Sequence, residues 1–572
     1  MPKESKMKYR IRNLVSNPIP GLLILVILLA GVLRVSFLDR FPPALYSDEV
    51  SQGYNAYSIW KTGRDEYGKF LPVSLRSFGD WKPPLPTYLM IPTIAIFGLN
   101  AWGVRLPSAI LGTLTVGLVY FLVSELLQFF EMKTTRDAQK TDFNRGVALW
   151  SALFLAISAW HIAESRSAML VAVGLFWICM AIWSFLKGLK QPNYWYISSL
   201  SLVFGIYTYY GLRLVVPLLL IALAIFFIKP ILRNWQKAIV AAILGTVLLL
   251  PLIVAYIKEP DVLWGRARTV SIFYDQGVAL NVKDLIAQDG IGMPPKLAQF
   301  FHNKTYAYTV DIIRRFFQHL DGRYLFLIGD QSPPFQIPGM GILYLGDVIL
   351  LIFGLNYLSK NSRLLKFLLV WAAITIVPSA LTFVTPASNR TFNLVVPLVV
   401  IMAFGAVNLF GRLNKYFFWS SLFIIYGSSF AYFSFNYFKA LPKQHADWWH
   451  YGYQELYAYL ATQESQVETI YISGHASVPY IFLLFFQEID PALVATQIKR
   501  NYKADIYGFE HVDEFGKYQF PRYFKWEVDK DNLASNSLLV LTESEVAGEG
   551  ARDIKDIIYP DGRIAFKIYK IE

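Results

Sequence analysis

The chain has 572 residues, of which 55% are hydrophobic and only 16% charged, with a formal net charge of +12 and one cysteine. A soluble protein of this length carries far more charge, so a large soluble enzyme is excluded, and the lone Cys179 excludes an internal disulfide. Most Lys and Arg sit in short loops between apolar blocks, which speaks for membrane orientation and against nucleic acid as the partner.

The first apolar block, Ile19 to Leu33, follows a tail with Lys3, Lys6, Lys8, Arg10 and Arg12, and no small-residue cleavage site follows it. It reads as a retained helix with its N-terminus in the cytoplasm. A first outer loop, 38–103, comes next. Its segment "LPTYLMIPTIAIFGLN" is short and broken by proline, and predicts a helix lying along the membrane surface. A second crossing covers Val104 to Phe130 and meets Lys133, Arg136, Lys140 and Arg145. Further crossings exit near His161, return from Ala168 to Lys187, exit near Tyr209 and return to Lys229, Arg233 and Lys237. The next exits near Ile257, where a long outer loop, 258–338, begins. Crossings then return to Lys360, Arg363 and Lys366, exit near Pro386, return to Arg412 and Lys415, and exit near Tyr437. About eleven crossings make the inner loops short and basic throughout, as the positive-inside rule requires.

The division expected is therefore a transmembrane domain, 1–438, and an extracytoplasmic α/β domain, 439–572. In the latter, "VETIYISG" and "SLLVLTES" read as buried strands, "WWHYGYQELYAYLATQ" as an amphipathic helix, and "IYPDGRIAFKIYKI" as a hairpin turning at Pro560-Asp561-Gly562.

With this topology unusual residues collect on the outer side. The first loop brings Tyr46, Asp48 and Glu49 in "LYSDEV", and Lys82 in "WKPPLP". Three outer turns bring His161, Glu164 and Arg166 in "AWHIAESRSAML", Arg213 in "YTYYGLRLVVP" and Arg390 in "VTPASNRTFNLVVP". Each cation alone suits an interfacial anchor, and Asp48 alone suits a helix cap. Positive-inside bias, however, works against outer cations. Four of them with a carboxylate pair match what a lipid-linked phosphate and a reacting hydroxyl need: cations stabilise the leaving phosphate, and a carboxylate takes the hydroxyl proton. A second acid is unnecessary, because the lipid phosphate leaves as an anion, unlike the leaving group in glycoside hydrolysis.

"LYSDEVSQGYNAYSIWKTGRDEYG", "WKPPLPTYL", "AWHIAESRSAML", "YTYYGLRLVVP", "RYLFLIGDQSPPFQIPGMGILYLG" and "NRTFNLVVPLVV" together resemble the bacterial branch of the protein O-mannosyltransferase and aminoarabinose-transferase-like superfamily. The resemblance runs from the first helix to the last. It implies an α-helical polytopic membrane protein of the GT-C fold that transfers a sugar, mannose or similar, from a polyprenyl-phosphate donor. The acceptor is a hydroxyl of a protein, lipid or glycan. It makes Asp48 the catalytic base and Glu49 its helper in orienting the acceptor or the loop. Lys82, Arg166, Arg213 and Arg390 become binders of the donor phosphate, with His161, Glu164 and Tyr46 as accessory residues. The sequence departs from the pattern after Arg166, where relatives carry an acid and "SRSAMLVAVG" has none; Glu164 is the nearest substitute.

"DWWHYGYQ" resembles the WWDYG element of oligosaccharyltransferases, but His450 replaces the aspartate and "SDEV" is not the acidic metal site that should accompany it. Trp448, Trp449 and Tyr451 are expected to pack the outer domain onto the membrane surface. No histidine pair has ligand spacing and no Gly-rich phosphate loop exists, so no metal, cofactor or nucleotide sugar is expected. Two other functions fit a multi-pass chain. A polyprenyl-lipid flippase or transporter needs polar groups at mid-membrane and broken helices. A non-catalytic envelope scaffold makes the outer cations silent.

Overall fold

The computed structural model describes residues 19–130, 137–274, 276–505 and 508–572; the cations of the N-terminal tail, Lys133 and Arg136 lie outside them. The chain begins with α1 (Ile19–Val35), α2 (Ser47–Thr62), β1 (Leu75–Ser77), β2 (Asp80–Lys82), α3 (Leu85–Phe97) and α4 (Ala101–Phe129). Then come α5 (Asp137–Ile157), α6 (Ala159–Arg166), α7 (Val171–Gly188), α8 (Tyr194–Ile206), α9 (Leu212–Arg233) and α10 (Trp235–Lys258). The long loop folds as α11 (Asp261–Val270), α12 (Gln276–Asp289), α13 (Pro295–Phe301) and α14 (Lys304–Gln318). The last apolar helices are α15 (Asp347–Leu358), α16 (Ser362–Ala380), α17 (Val395–Arg412) and α18 (Lys415–Phe435).

The protein is a multi-pass membrane protein. Among the described residues six helices are long and apolar enough to cross a bilayer: α4, α7, α9, α10, α16 and the run Phe392–Arg412. The pair α5 and α6, bent by 57°, makes a seventh. Helices α1, α8, α15 and α18 stand at the other positions where crossings are expected. At 13 and 12 residues, α8 and α15 are shorter than the about 20 residues a crossing takes.

Two compact units form, and neither is a single stretch of chain. The first holds residues 1–34, 110–165 and 170–433. Its breaks are capped by arginines. At the bend after α5, Arg34 donates to the carbonyls of Leu155 (3.0 Å) and Ala156 (3.1 Å), and the Tyr344 hydroxyl donates to that of Ile157 (2.7 Å). Carbonyls that lose their helical partners in an apolar setting need such donors. Helix α9 kinks at Phe227, because Pro230 has no N–H for the carbonyl of Phe226; Arg363 donates to that carbonyl instead (2.8 Å). Helices α15 and α17 touch backbone to backbone. A Cβ on Gly354 would lie 1.9 Å from the Ile401 oxygen, and one on Gly405 2.0 Å from the Leu350 oxygen. Small residues permit this approach where no hydrophobic force drives helices together.

The second unit holds residues 35–109, 166–169 and 434–572. The C-terminal region has the expected helix α19 (Tyr453–Gln463), strands β3 (Ile470–Ile472) and β7 (Ser537–Leu541) and hairpin β8 (Ala551–Ile558) with β9 (Ile564–Ile571), and adds α20 (Pro479–Phe486), α21 (Pro491–Gln497), β4 (Ile498–Asn501), β5 (His511–Phe515) and β6 (Tyr518–Gln519), which the pattern had not marked. Its seven-stranded sheet has the order β4-β5-β6-β3-β7-β9-β8, with β3 parallel to β6 and β7. The terminal hairpin turns through Gly562 at φ +92°, a left-handed conformation glycine adopts freely. The first loop shares this domain's core: Val50, Tyr54 and Phe78 pack in one hydrophobic cluster with Tyr453, Phe482 and Phe485.

Candidate functional site

Asp48 lies in the first turn of α2, where a negative charge meets the positive end of the helix. It does not cap that helix; Tyr46 stands at the cap position, and its N–H donates to the Glu49 carboxylate (3.0 Å). Lys82 ends the β1–β2 hairpin, whose turn runs through Phe78 and Gly79, both at positive φ. The hairpin register delivers the Lys82 ammonium to the Asp48 carboxylate at 2.6 Å and to the Ser77 hydroxyl at 3.0 Å. The two ends of the ion pair differ: the Lys82 side chain is 7% exposed and that of Asp48 43%. The carboxylate therefore faces the solvent side and the cation sits behind it.

Glu49 points the other way and is fully buried. Arg105, near the start of α4, grips it with two hydrogen bonds of 3.0 and 2.9 Å. The N–H of Ala168 adds a third at 2.8 Å. Arg105 also donates to the carbonyls of Leu38, Pro42 and Ala44. This network holds the first loop beneath Asp48, so the geometry gives Glu49 a part in orienting the loop. The sequence reading missed Arg105. Its only signal was one arginine inside the apolar stretch "WGVRLP".

Arg166 is also buried. Its guanidinium donates to the carbonyls of Phe37 (3.1 Å) and Phe41 (3.2 Å) and lies over the rings of Tyr437 and Phe438. It too fastens the start of the first loop. The "WWHYG" turn packs in the same unit. The His450 ring stacks on Tyr46 with 4.9 Å between centroids, and Trp449 meets Tyr46 edge-on at 6.2 Å. Burial holds the His450 imidazole down to about 4, so it is neutral at physiological pH. Trp449 is buried here while Trp448 is exposed.

The loop after α2 adds a buried ion pair, Glu66 with Arg500 at 3.2 Å, with Arg500 over the Tyr67 ring. Beside it, burial pushes the Asp65 carboxyl up to about 6 from its ordinary 3.8. The folded chain thus holds this proton more tightly than the unfolded one. Stability falls as pH rises from about 4 to about 6 and is flat above, a loss of about 3 kcal/mol. Asp65→Asn keeps the acceptor for the N–H groups of Tyr67 and Lys69 and removes the charge. Its thermal midpoint in detergent should exceed wild type at about pH 8 and match it at about pH 4. Parallel curves for the two proteins would contradict this coupling.

The remaining candidates lie in the other unit. Arg213, in the first turn of α9, donates to the Val262 carbonyl at 3.0 Å and lies over Tyr210 and Tyr256. Its Nε and second terminal nitrogen are buried with no hydrogen-bond partner among the described residues. Arg390 donates to the Thr382 hydroxyl (2.5 Å) and the Val384 carbonyl (2.9 Å). Burial lowers its proton affinity, and the positive charge of Arg266 adds to this. Arg213 thus bonds α11 at Val262, and Arg390 feels the charge of Arg266 on the same helix. Asp330 accepts from the N–H groups of Ser332 (2.7 Å) and Ser388 (2.5 Å), and burial raises its pKa. Glu164 lies beside Asp330 and Ser388. Asp330 belongs to the "GDQSPP" stretch but had not been singled out. His161 is wholly buried; its Nδ1 lies 2.7 Å from the Arg34 guanidinium and its ring stacks on Phe392. It serves the bend after α5. Among the described residues no group of three His, Cys, Asp or Glu side chains could hold a metal ion.

Several known proteins are similar to this chain. A family model described as dolichyl-phosphate-mannose-protein mannosyltransferase matches residues 81–133, a stretch that begins one residue before Lys82 and includes Arg105. The putative mannosyltransferase YkcB of Bacillus subtilis (strain 168) is 24% identical over 168 residues, which cover 27% of this chain and 21% of YkcB. The match thus spans about a fifth of that relative. Among solved structures, ArnT from Cupriavidus metallidurans bound to undecaprenyl phosphate aligns over 97% of this chain and 98% of its own. Its TM-score is 0.52 at 12% identity. The archaeal oligosaccharyltransferase AglB from Archaeoglobus fulgidus covers 82% of this chain and 64% of its own, at 14% identity and a TM-score of 0.46. The likeness to ArnT is one of fold across the whole chain.

Proposed function

We propose a function for this chain as a member of the GT-C glycosyltransferase superfamily: transfer of a sugar from a polyprenyl-phosphate donor to an acceptor hydroxyl at the outer face of the cytoplasmic membrane. The observation that carries this reading is the 2.6 Å bridge between Lys82 and Asp48. The ammonium bonded to the carboxylate occupies an oxygen that a proton would otherwise take. A donor phosphodiester, also a monoanion, competes for the same ammonium, and the phosphate that leaves gains further negative charge as its bond to the sugar breaks. Donor binding then draws Lys82 to the phosphate and frees Asp48 to accept a proton.

In the transfer step the acceptor O–H proton goes to Asp48. The acceptor oxygen bonds to the anomeric carbon from the face opposite the phosphate, the bond from that carbon to the phosphate oxygen breaks, and polyprenyl phosphate leaves. The anomeric configuration inverts. Lys82 stabilises the charge that grows on the leaving oxygen. Glu49 and Arg166 position the first loop.

The test is a transfer assay on purified protein with a panel of radiolabelled polyprenyl-phosphate sugars and membrane extract as acceptor, reading released lipid phosphate. Lys82→Met should lower release by about 10²- to 10³-fold and weaken donor binding. Unchanged release would remove Lys82 from the site.

A second reading, outward movement of a polyprenyl lipid without transfer, draws on the bend between α5 and α6, since transporters use discontinuous helices. Arg34 and Tyr344 already satisfy the carbonyls freed there. Label that crosses vesicle membranes intact, with no release from any donor, would favour this reading.

A further inference from the structure

Helix α14 is inside out for an aqueous surface. Tyr306, Val310, Ile313 and Phe317 fall within about 60° of helical arc, and their exposures are 65%, 46%, 51% and 61%. The opposite face is charged and covered: Arg315 bonds the buried Asp311 carboxylate at 2.6 Å. A helix on a water-facing surface has the reverse arrangement.

The charged face grips one loop. Arg315 donates to the carbonyls of Thr382 (3.1 Å) and Phe383 (2.6 Å) and to the Thr385 hydroxyl (3.3 Å). At the end of α14, His319 donates from Nδ1 to the Arg315 carbonyl. Its Nε2 accepts from the N–H of Ala387 (3.2 Å) and lies 2.8 Å from the Ser379 hydroxyl. Arg390 hangs on the same loop through Thr382 and Val384.

What covers the apolar face follows from its continuity with the transmembrane surface. Helix α10 shows the bilayer an apolar side that includes Ile243, Val247, Val254 and Ile257, all exposed, and only Glu259 and Pro260 separate it from α11. On the chain between α10 and α14, Trp264, Leu280, Phe300 and Phe301 are exposed as well. Arg314, ion-paired to Asp311 with its side chain 63% exposed, borders the stripe, as a cation flanking a lipid-facing helix does.

We infer that α14 lies in the membrane interface with Tyr306, Val310, Ile313 and Phe317 in the acyl chains of the leaflet where α10 ends, as a lipid-seated clamp on the loop that carries Arg390. The assignment stands independently of the transferase reading.

The test uses the full chain with Cys179→Ala and a single cysteine, Ile313→Cys or Phe317→Cys, carrying a nitroxide. The protein is reconstituted in phosphatidylcholine–phosphatidylglycerol vesicles without polyprenyl lipid. Collision with oxygen is compared with collision with a water-soluble nickel chelate, and Asp561→Cys in the terminal hairpin serves as the aqueous reference. At both α14 positions the oxygen-to-nickel ratio should exceed that at the hairpin by severalfold. A ratio equal to the hairpin's would overturn the inference by placing the stripe in water. Spin–spin broadening that vanishes on dilution with unlabelled protein would overturn it in favour of a second copy of the chain.

Discussion

Asp48→Asn protein should release polyprenyl phosphate about 10²- to 10⁴-fold more slowly than wild type, the range that loss of a general base covers, while donor binding persists. The substitution keeps the size of the side chain and removes only its charge. Binding should persist because Lys82, 7% exposed, is left with an unbalanced ammonium, and a phosphate then becomes its best partner. Donor affinity equal to or above wild type, with turnover lost, separates this outcome from misfolding. Release at the wild-type rate would remove Asp48 as the base. A parallel loss of binding and turnover would mean that the ion pair shapes the loop and does nothing else.

The second large effect lies beneath the site. Arg105→Met or Glu49→Gln should each destabilise the unit that carries Asp48 by about 3–5 kcal/mol, because each leaves an uncompensated, fully buried charge. For a unit of this size that lowers the thermal midpoint by roughly 6–20 °C. The double substitution should recover only part of the loss, since the carbonyls of Leu38, Pro42 and Ala44 lose their donor, and the one oxygen of the glutamine can serve only one of the separate N–H bonds from Tyr46 and Ala168. Midpoints in detergent, followed by fluorescence, decide the point. A single variant within about 2 °C of wild type would show that the pair contributes little.

Much of the fold was legible in the chain itself. Hydropathy placed the apolar helices, because a crossing is a local property of about 20 residues. Turn chemistry placed the terminal hairpin at Pro560-Asp561-Gly562, where glycine takes the left-handed conformation. Strand pattern found β3 and β7. The bend after α5 and the kink at Phe227 were not foreseen, since each depends on which distant arginine reaches the freed carbonyls.

The candidate site divides along the same line. The chain alone singled out the pair Asp48 and Glu49, just past the first apolar helix, and Lys82 among four outer cations that run against the positive-inside bias. Only the family resemblance, and no local property of the pair, set Asp48 apart as the base and Glu49 as its helper. Adjacent residues in a helix point about 100° apart, and only tertiary packing decides which one meets solvent. The fold turned Glu49 onto Arg105, 56 residues away, and left Asp48 to Lys82, 34 residues away. Likewise Asp330 found the Ser388 backbone 58 residues on, and the first loop joined the core of the C-terminal domain. Hydropathy and turn preference are set by neighbours along the chain. The partner of a buried charge is set by whichever opposite charge the packing brings within hydrogen-bond reach.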